Sequence, residues 1–422
     1  MKLNQTIIRS IVALMLVIAT MFSMSSCIFL DYGFYEEVFG ESDKSEDDDG
    51  SKLPQIPKPN QNQNENQTQT GNDGEAPEFL PENGSGEVDK IPALQQTLLS
   101  TVLIISEFNL GAGAGAGVIY QIDKEKGDAY IITNQHVVYD ENGICKSIKI
   151  YLYGMVLETY AINARYIGGS TAYDIAVLKI EGSEILKNSY AKAAELGKSS
   201  EVRVFDTVYA VGNPEAYGFS VTQGIVSVRT ENLDLEGADG SIISLRVMRI
   251  DAAVNHGNSG GGLYDDDGRL IGIVSAKTQG DDVDNMGYAI PIDLVKNLAN
   301  NILYYCDGSN MTKLNRALLG ITISSKVIGA VIDENGNLTE QAKVEVMEVS
   351  TSSLAFGKVQ VGDVVNSISV DGVKVEATEV HLIPEHMLNA RVGSTIVMNV
   401  TRGNQNMDIT FTITKDAITI EK

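Results

Sequence analysis

The chain has 422 residues, of which 43% are hydrophobic, and a formal net charge of −24 at pH 7. This length and apolar content suffice for two or three domains with hydrophobic cores. The strong negative charge argues against nucleic acid as a partner, because the phosphates would be repelled.

The N-terminus has the pattern of a secretory signal. Two basic residues precede an apolar run over residues 11–22, and small residues then lead to Cys27. This run is short for a membrane span, so we expect export. Cys27 resembles a bacterial lipoprotein processing site, which predicts residues 1–27 as the signal and Cys27 as the lipidated mature N-terminus. An uncleaved signal anchor over residues 7–30 is the alternative.

The next segment has the composition of a spacer. From Asp31 to Lys90 there are 16 acidic and 4 basic residues, with many Asn, Gln, Gly and Pro. Such a segment buries too little apolar surface to offset the entropy of ordering. We therefore predict a disordered acidic linker over residues 28–90, which tethers the folded part to the membrane. A specific acidic binding tail is the alternative.

From residue 91 the chain is mostly β. Short β-prone runs broken by turn residues favour closed barrels or a sandwich. Polar acidic loops are expected over residues 229–245 and 279–285, and helical spacing predicts a helix at 292–305 that closes the domain. Cys145 and Cys306 lack metal or disulfide spacing and are expected to be buried. The predicted strands are residues 98–105, 117–121, 129–132, 148–152, 161–167, 175–180, 202–211, 224–229, 245–250 and 270–276.

A second, smaller domain is expected over residues 309–422. Its β-prone runs include a tight hairpin signal at Asp371-Gly372. Pro384 would interrupt any helix near residues 380–388. His381 and His386 lie on that element, and we expect both at the surface.

Ser259 is the candidate nucleophile. It lies in Gly257-Asn258-Ser259-Gly260-Gly261, where glycine permits backbone conformations with φ > 0 that other residues adopt at a cost. The backbone amides of Gly257, Asn258 and Ser259 would be free to stabilise an oxyanion. A glycine-rich hairpin turn is the alternative, so the nucleophile requires a base and an orienting acid elsewhere in the chain.

His136 and Asp174 are the candidate base and acid. His136 follows the apolar strand at residues 129–132, where its ring can face a cleft. His256 is nearer to Ser259 in sequence, but a residue in the same tight turn is poorly placed to face both the hydroxyl and an acid. Asp174 precedes the apolar run at 175–180 and would orient the imidazole, although a strand-capping Asp is its default interpretation.

Five ordered motifs together resemble the HtrA/Deg family of serine proteases. They are Thr133-Asn134-Gln135-His136-Val137, Asp174-Ile175-Ala176-Val177-Leu178, Val211-Gly212-Asn213-Pro214, Gly257-Asn258-Ser259-Gly260-Gly261 and Gly287-Tyr288-Ala289-Ile290-Pro291. Their order is also that of chymotrypsin-like proteases. The resemblance implies a trypsin-like double β-barrel over residues 91–308, followed by a small α+β PDZ-like domain over residues 309–422.

The resemblance also implies roles for individual residues. His136 would be the general base, Asp174 its orienting acid and Ser259 the nucleophile, with the amides of Gly257, Asn258 and Ser259 as the oxyanion hole. Ala253 would form the floor of the substrate pocket, and Gly287, Tyr288 and Ala289 its wall. Because no acid is found there, cleavage after small or medium apolar residues is expected. In the PDZ-like domain, Leu318-Leu319-Gly320-Ile321 would bind a peptide carboxylate with backbone amides.

The predicted activity is that of an extracytoplasmic serine endopeptidase, tethered to the bacterial membrane through its N-terminus, which degrades unfolded or misfolded proteins. The family also implies homotrimers and neither a metal nor an organic cofactor. A non-proteolytic chaperone or peptide-binding scaffold is the alternative function. Two positions depart from the family pattern, since His256 and Gly262 stand where relatives commonly have proline. His256 is expected to face solvent, and an electrostatic effect on the oxyanion amides is the alternative.

Overall fold

A first antiparallel barrel is built from the β-prone runs that end at residue 180. The computed structural model describes residues 29–30, 91–213, 218–275, 286–306, 311–332 and 338–421. The predicted signal, Cys27, nearly all of the linker and the loop at 279–285 lie outside these ranges. The strands up to residue 180 are β1 (Phe29–Leu30), β2 (Thr101–Phe108), β3 (Gly111–Asp123), β4 (Asp128–Thr133), β5 (Tyr139–Asp140), β6 (Gly143–Ile144), β7 (Ser147–Leu152), β8 (Ile162–Ser170) and β9 (Ile175–Ile180).

The long strand β3 closes this barrel. It pairs with β2 along its first half and with β4 along its second, so that the ring β3-β2-β7-β8-β9-β4 is complete. β1 pairs with the start of β3, and β5 and β6 form a separate two-stranded sheet. The glycine-rich start of β3 has a packing role, because a Cβ on Gly117 would lie 2.7 Å from Ile131 and 2.9 Å from Ile104.

A second closed barrel follows in the order β10-β11-β12-β15-β14-β13, and it confirms the predicted double-barrel architecture. The two barrels share a core that contains Val118 and Ile132 from the first and Leu270 and Ile290 from the second. The two barrels therefore pack against each other along a common apolar junction. The strands of the second barrel are β10 (Thr207–Gly212), β11 (Ser220–Glu236), β12 (Ile242–Ile250), β13 (Gly262–Tyr264), β14 (Leu270–Ser275) and β15 (Gly287–Pro291).

The acidic loop predicted between residues 229 and 245 is wrong for most of its length. β11 continues to Glu236 and β12 starts at Ile242, so this segment is a long hairpin. Leu235 lies opposite Ile243, and both side chains are buried in the apolar core that the two barrels share. This cross-strand apolar pair stabilises the hairpin.

The helices are short except for one. The helix predicted at residues 292–305 is confirmed, and its buried face includes Leu294, Val295 and Leu298. The strand predicted at 98–105 begins only at Thr101, because a helix that follows Pro92 extends to Ser100. Within the described ranges, no helix is long and apolar enough to cross a membrane. The helices up to residue 305 are α1 (Ala93–Ser100), α2 (Gln135–Val138), α3 (Glu184–Lys187) and α4 (Ile292–Tyr305).

The C-terminal part has a separate sheet and core. Five strands pair in the order β17-β18-β19-β21-β22, β20 pairs with β19, and β16 pairs with β23. The hairpin predicted at Asp371-Gly372 is confirmed, since both residues have positive φ and join β19 to β20. The elements are β16 (Asn315–Ala317), β17 (Ile321–Ile332), β18 (Leu338–Val349), β19 (Val364–Val370), β20 (Val373–Glu376), α5 (Leu382–His386), β21 (Thr395–Arg402), β22 (Gln405–Thr412) and β23 (Ile418–Ile420).

The α5 region packs against the second barrel through ion pairs. The Arg246 guanidinium on β12 contacts both carboxylate oxygens of Glu385, at 2.5 and 2.6 Å, and both side chains are largely buried. Arg229 on β11 pairs with Glu379. Burial raises the pKa of the Glu385 carboxyl, and the neighbouring Arg246 opposes this shift. The two contacts join the long hairpin to the α5 region of the C-terminal part.

The prediction that His381 and His386 lie at the surface is wrong. His386 is buried and its Nε2 lies 2.8 Å from the carbonyl oxygen of Val373, while His381 is mostly covered. Burial lowers the pKa of His381 to about 3, with further contributions from the guanidinium groups of Arg246 and Arg229. Burial also lowers the pKa of His386. Both rings are therefore neutral at pH 7.

Candidate active site

His136 lies at the junction of the two barrels and contacts Asp174 directly. β4 ends at Thr133, and α2 then carries His136 in its first turn, with 5% of the residue exposed. The imidazole Nδ1 lies 3.0 Å from Oδ1 and 2.9 Å from Oδ2 of Asp174. The backbone amide of His136 also donates to Oδ1, at 3.1 Å. The carboxylate thus fixes both the ring and the backbone of His136.

Asp174 occupies a strained backbone position that its neighbours stabilise. Its φ is +50°, a conformation in which Asp is among the tolerated residues. The Asn134 side chain donates to its carbonyl oxygen at 2.9 Å, and the Ser275 hydroxyl lies 3.4 Å from Oδ2. The residue is 2% exposed. This conformation aims the carboxylate back at His136.

Asn134 and Ser275 are supporting residues that the sequence analysis missed. Asn134 belongs to the motif that contains His136, but its contact is with a residue 40 positions away. Ser275 is a polar residue at the end of β14, whose six residues are all buried. A hydroxyl at the end of a fully buried strand needs a hydrogen-bond partner, and this requirement could have identified Ser275 as a residue of the site.

The Ser259 turn packs against the same part of the first barrel. The amide of Ala116 donates to the carbonyl oxygen of Ser259 at 2.8 Å. Gly260 has a φ of +83°, and a Cβ there would lie 2.2 Å from both the Ala116 carbonyl oxygen and the Thr133 hydroxyl. Glycine is required by both the backbone angle and the space. The structure thus places Ser259 beside the segment that carries His136.

One of the three predicted oxyanion amides is already engaged. The amide of Asn258 donates to the carbonyl oxygen of Asn255 at 3.1 Å, so we remove Asn258 from the predicted set. Its side chain instead points into the second barrel, where its Oδ1 would lie 2.6 Å from a Cβ on Gly212. The amides of Gly257 and Ser259 remain as candidates, and the φ of +90° at Gly257 explains why glycine is found there.

The residues predicted to line the substrate pocket are distributed over two segments. Gly287, Tyr288 and Ala289 are buried on β15, and a Cβ on Gly287 would meet the apolar side chains of Val254 and Ile250 at 2.7 and 2.9 Å. Ala253 is exposed and its carbonyl oxygen accepts a hydrogen bond from Thr222 at 2.8 Å. Ala253 therefore lies at an open edge and not at an enclosed floor.

A metal ion bound by the described residues or a reactive cysteine thiol would be a second source of chemistry. Within the ranges given above, no group of three or more His, Cys, Asp or Glu side chains is arranged to hold a metal ion. Cys145 is buried, as predicted, and burial raises the pKa of its thiol to about 12, whereas Cys306 is only partly covered. His256 is exposed, as predicted.

The loop predicted to bind a peptide carboxylate precedes β17. Gly320 has a φ of +77°, and a Cβ there would lie 2.1 Å from the Ser353 side chain. The amide of Leu318 donates to the carbonyl oxygen of Ala417 at 2.8 Å, and the carbonyl oxygen of Leu319 accepts from the amide of Ala355 at 3.1 Å. The Leu318 amide is therefore committed to another contact, while β17, beside this loop, is the edge strand.

Comparisons with known proteins all match this chain to serine proteases. Residues 115–273 match the model of the trypsin-like peptidase domain. The chain is 40% identical over 194 residues to Serine protease Do-like HtrA of Bacillus subtilis (strain 168), covering 46% of this chain and 40% of the relative. It is 30% identical over 358 residues to Serine protease Do-like HtrB of the same organism, covering 79% and 72%.

A third relative extends the comparison to another group of bacteria. Probable periplasmic serine endoprotease DegP-like, of Pseudomonas savastanoi pv. phaseolicola (strain 1448A / Race 6), is 30% identical over 288 residues, which cover 68% of this chain and 53% of the relative. The matched region thus spans between two fifths and about three quarters of the length of these three relatives.

Proposed function

Because the chain belongs to the HtrA family of serine proteases, we propose that it is an extracytoplasmic serine endopeptidase that degrades unfolded or misfolded proteins. The observation that carries this proposal is the contact between His136 Nδ1 and Asp174, at 2.9 Å, beside the Ser259 turn. The base and its acid come from the first barrel and the nucleophile from the second. A protein that only binds unfolded chains would not require His136, Asp174 and Ser259 together.

In the proposed mechanism, Ser259 Oγ attacks the peptide carbonyl carbon while His136 Nε2 takes the hydroxyl proton. Asp174 holds the proton on Nδ1 and stabilises the imidazolium that forms. The amides of Gly257 and Ser259 donate to the oxyanion. His136 then gives its proton to the leaving amine, and water hydrolyses the acyl-enzyme by the same steps.

We propose a preference for small or medium apolar residues on the acyl side of the cleaved bond. Support comes from the apolar side chains of Ile250 and Val254, which pack closely against Gly287 on β15 and leave little room for a larger group. We expect a peptide-library profile dominated by Ala, Val and similar residues. A profile dominated by Lys or Arg would contradict this proposal.

The proposed location is outside the cytoplasmic membrane, attached through the N-terminus. The signal pattern of residues 1–27 and Cys27 support it, with residues 28–90 as the spacer. The name of the Pseudomonas relative includes the word periplasmic, which agrees with export. Mass spectrometry of the mature protein tests the attachment: a lipidated Cys27 is expected, and an intact Met1 would indicate a signal anchor.

We also propose that the C-terminal unit, residues 309–422, is a PDZ-like peptide-binding domain. The edge strand β17 and the left-handed turn at Gly320 support it, because an extended peptide can add to such an edge. Binding of a fluorescent C-terminal heptapeptide with apolar ends, compared with the same peptide as a C-terminal amide, tests it. Equal affinities would exclude carboxylate recognition.

We propose a homotrimer as the assembly. Tyr153 and Leu157, near the end of β7, are 47% and 64% exposed, and Tyr153 lies edge-on to Phe219 with ring centroids 5.4 Å apart. Exposed apolar clusters of this kind are typical of interfaces. Light scattering is expected to give three times the mass of the chain, and Tyr153→Glu is expected to reduce it. A monomeric wild type would contradict the proposal.

Covalent labelling with a fluorophosphonate tests the proposed activity. Such a reagent reacts with a serine only when a base and an oxyanion site activate it, so we expect one label per chain, at Ser259. His136→Ala should abolish labelling, and His256→Ala, a change in the Ser259 turn itself, should preserve it. A wild-type protein that binds unfolded chains without being labelled would favour the chaperone or scaffold alternative.

A further inference from the structure

Gly262 and Tyr264 lie at the two ends of β13. The Tyr264 ring occupies the space that a side chain at position 262 would fill. A Cβ on Gly262 would lie only 2.4 and 2.5 Å from two atoms of the Tyr264 ring and 2.6 Å from its hydroxyl oxygen, and Tyr264 is fully buried. The absence of a side chain at 262 therefore allows the ring to fold back over the strand. Any other residue at 262 would displace the ring, the backbone of β13, or both.

The Tyr264 hydroxyl reaches the start of the first barrel. It lies 3.2 Å from the hydroxyl of Ser100 and 3.3 Å from that of Thr101. Both of these hydroxyls are placed to donate their single proton to the carbonyl oxygen of Thr97, at 3.0 and 2.9 Å. The Tyr264 hydroxyl is therefore placed to donate its own single proton to one of these two oxygens, and burial, which raises its pKa, keeps it protonated.

The strand that Tyr264 anchors continues directly from the nucleophile. Two hydrogen bonds connect the segment between Ser259 and β13 to β14. The amide of Gly260 donates to the carbonyl oxygen of Val274 at 2.9 Å, and the amide of Val274 donates to the carbonyl oxygen of Gly261 at 2.8 Å. Thr101 begins β2, which pairs with β3, and β3 carries the Ala116 amide that binds the Ser259 carbonyl. The segment from Ser259 to Tyr264 is thus attached to the first barrel at both ends.

We propose that Tyr264 is a positioning residue for catalysis, which fixes the strand after the nucleophile against the barrel that carries His136 and Asp174. Gly262 provides the space for its ring. This inference rests on the proposed peptidase activity. The Tyr264 hydroxyl acts through β13 and does not contact the reacting atoms, so its loss should lower kcat and leave substrate binding unchanged.

Tyr264→Phe tests the proposal, because it removes the hydroxyl and retains the ring. Active sites are first counted by fluorophosphonate titration, so that kcat refers to correctly folded sites. We expect kcat per titrated site to fall about fivefold, the effect of one lost hydrogen bond, with KM within about twofold of wild type. Tyr151→Phe is the matched control, because Tyr151 is 1% exposed and donates to Glu158 at 2.7 Å in the first barrel.

A fall in melting temperature with an unchanged kcat per titrated site would overturn the proposal, because Tyr264 would then have only a structural role. An equal fall in kcat for Tyr151→Phe would also overturn it. If Tyr264→Phe does not fold, Ser100→Ala/Thr101→Val removes the hydroxyl contacts from the other side and should reduce kcat similarly. If the wild type is not labelled at all, the proposed activity fails independently of this inference.

The coupling between the two residues of β13 is tested separately. Gly262→Ala should lower kcat per titrated site in the wild type, because the ring must move. In the Tyr264→Ala background the same change should have little further effect, because the ring is absent. Additive effects in this double-mutant cycle would overturn the role given to Gly262.

Discussion

Ser259→Ala is expected to lower kcat for peptide hydrolysis about 10⁶-fold while the protein remains folded. Alanine removes the Ser259 Oγ atom that forms the acyl-enzyme. His136 and Asp174 then have no hydroxyl to activate. The fold should tolerate the change, because the turn depends on Gly260 and on the Ala116 contact to the Ser259 carbonyl oxygen, which are both backbone features. Casein degradation and a fluorogenic peptide measure the loss, and circular dichroism measures the fold.

The matched control for this variant is Ser275→Ala. Ser275 is also a buried serine of the second barrel, but its hydroxyl lies 3.4 Å from Asp174 and takes no part in bond formation. We expect a loss of about tenfold or less, the effect of one weak hydrogen bond. Equal casein degradation by the wild type and Ser259→Ala would contradict the peptidase and favour a binding function.

Asp174→Asn is expected to lower kcat about 10⁴-fold, mainly through the tautomer of His136. The backbone amide of His136 donates to Oδ1 of Asp174, so the asparagine should keep its oxygen there. Its NH₂ group would then face Nδ1, which lies 2.9 Å from the second carboxylate position. Nδ1 would become an acceptor, the proton would move to Nε2, and Nε2 could no longer take the proton of Ser259.

The same variant should fold normally, since asparagine is as well suited as aspartate to a φ of +50°. A melting temperature within a few degrees of wild type is therefore expected, and kcat/KM for the fluorogenic peptide measures the loss. Asp265→Asn is the control, because Asp265 is engaged with Arg269 in an exposed turn. An Asp174→Asn variant that retains a tenth of the wild-type activity would contradict the role of Asp174.

The residues that carry the proposed chemistry were predictable because each lies in a short local motif. His136, Asp174 and Ser259 lie beside strands or in glycine turns whose character is evident from their immediate neighbours in the sequence. The helix at residues 292–305 was equally accessible, since its periodicity is local. Local sequence patterns are sufficient to predict an element or a motif that is determined by residues close together in the chain.

The features that were mispredicted depend on packing that no local sequence pattern indicates. His381 is covered where the α5 region packs near Arg246, about 140 positions earlier, and His386 is buried against the Val373 carbonyl; the sequence around Pro384 contains no sign of either contact. The engagement of the Asn258 amide depends on how the turn closes onto Asn255. The reason for a glycine at 262 is the position of the Tyr264 ring, which the sequence does not indicate.

The position of α1 has a consequence for any shortened form of the enzyme. The match to the trypsin-like peptidase model begins at residue 115, and a catalytic fragment cut at that point would lack Ser100 and Thr101. It would also lose the contact of α1 with the turn after β13, where a Cβ on Gly268 would lie 2.8 Å from the Ala93 carbonyl oxygen. The helix therefore packs directly on the second barrel, and we expect a stable protease fragment to need the chain from Pro92 onward.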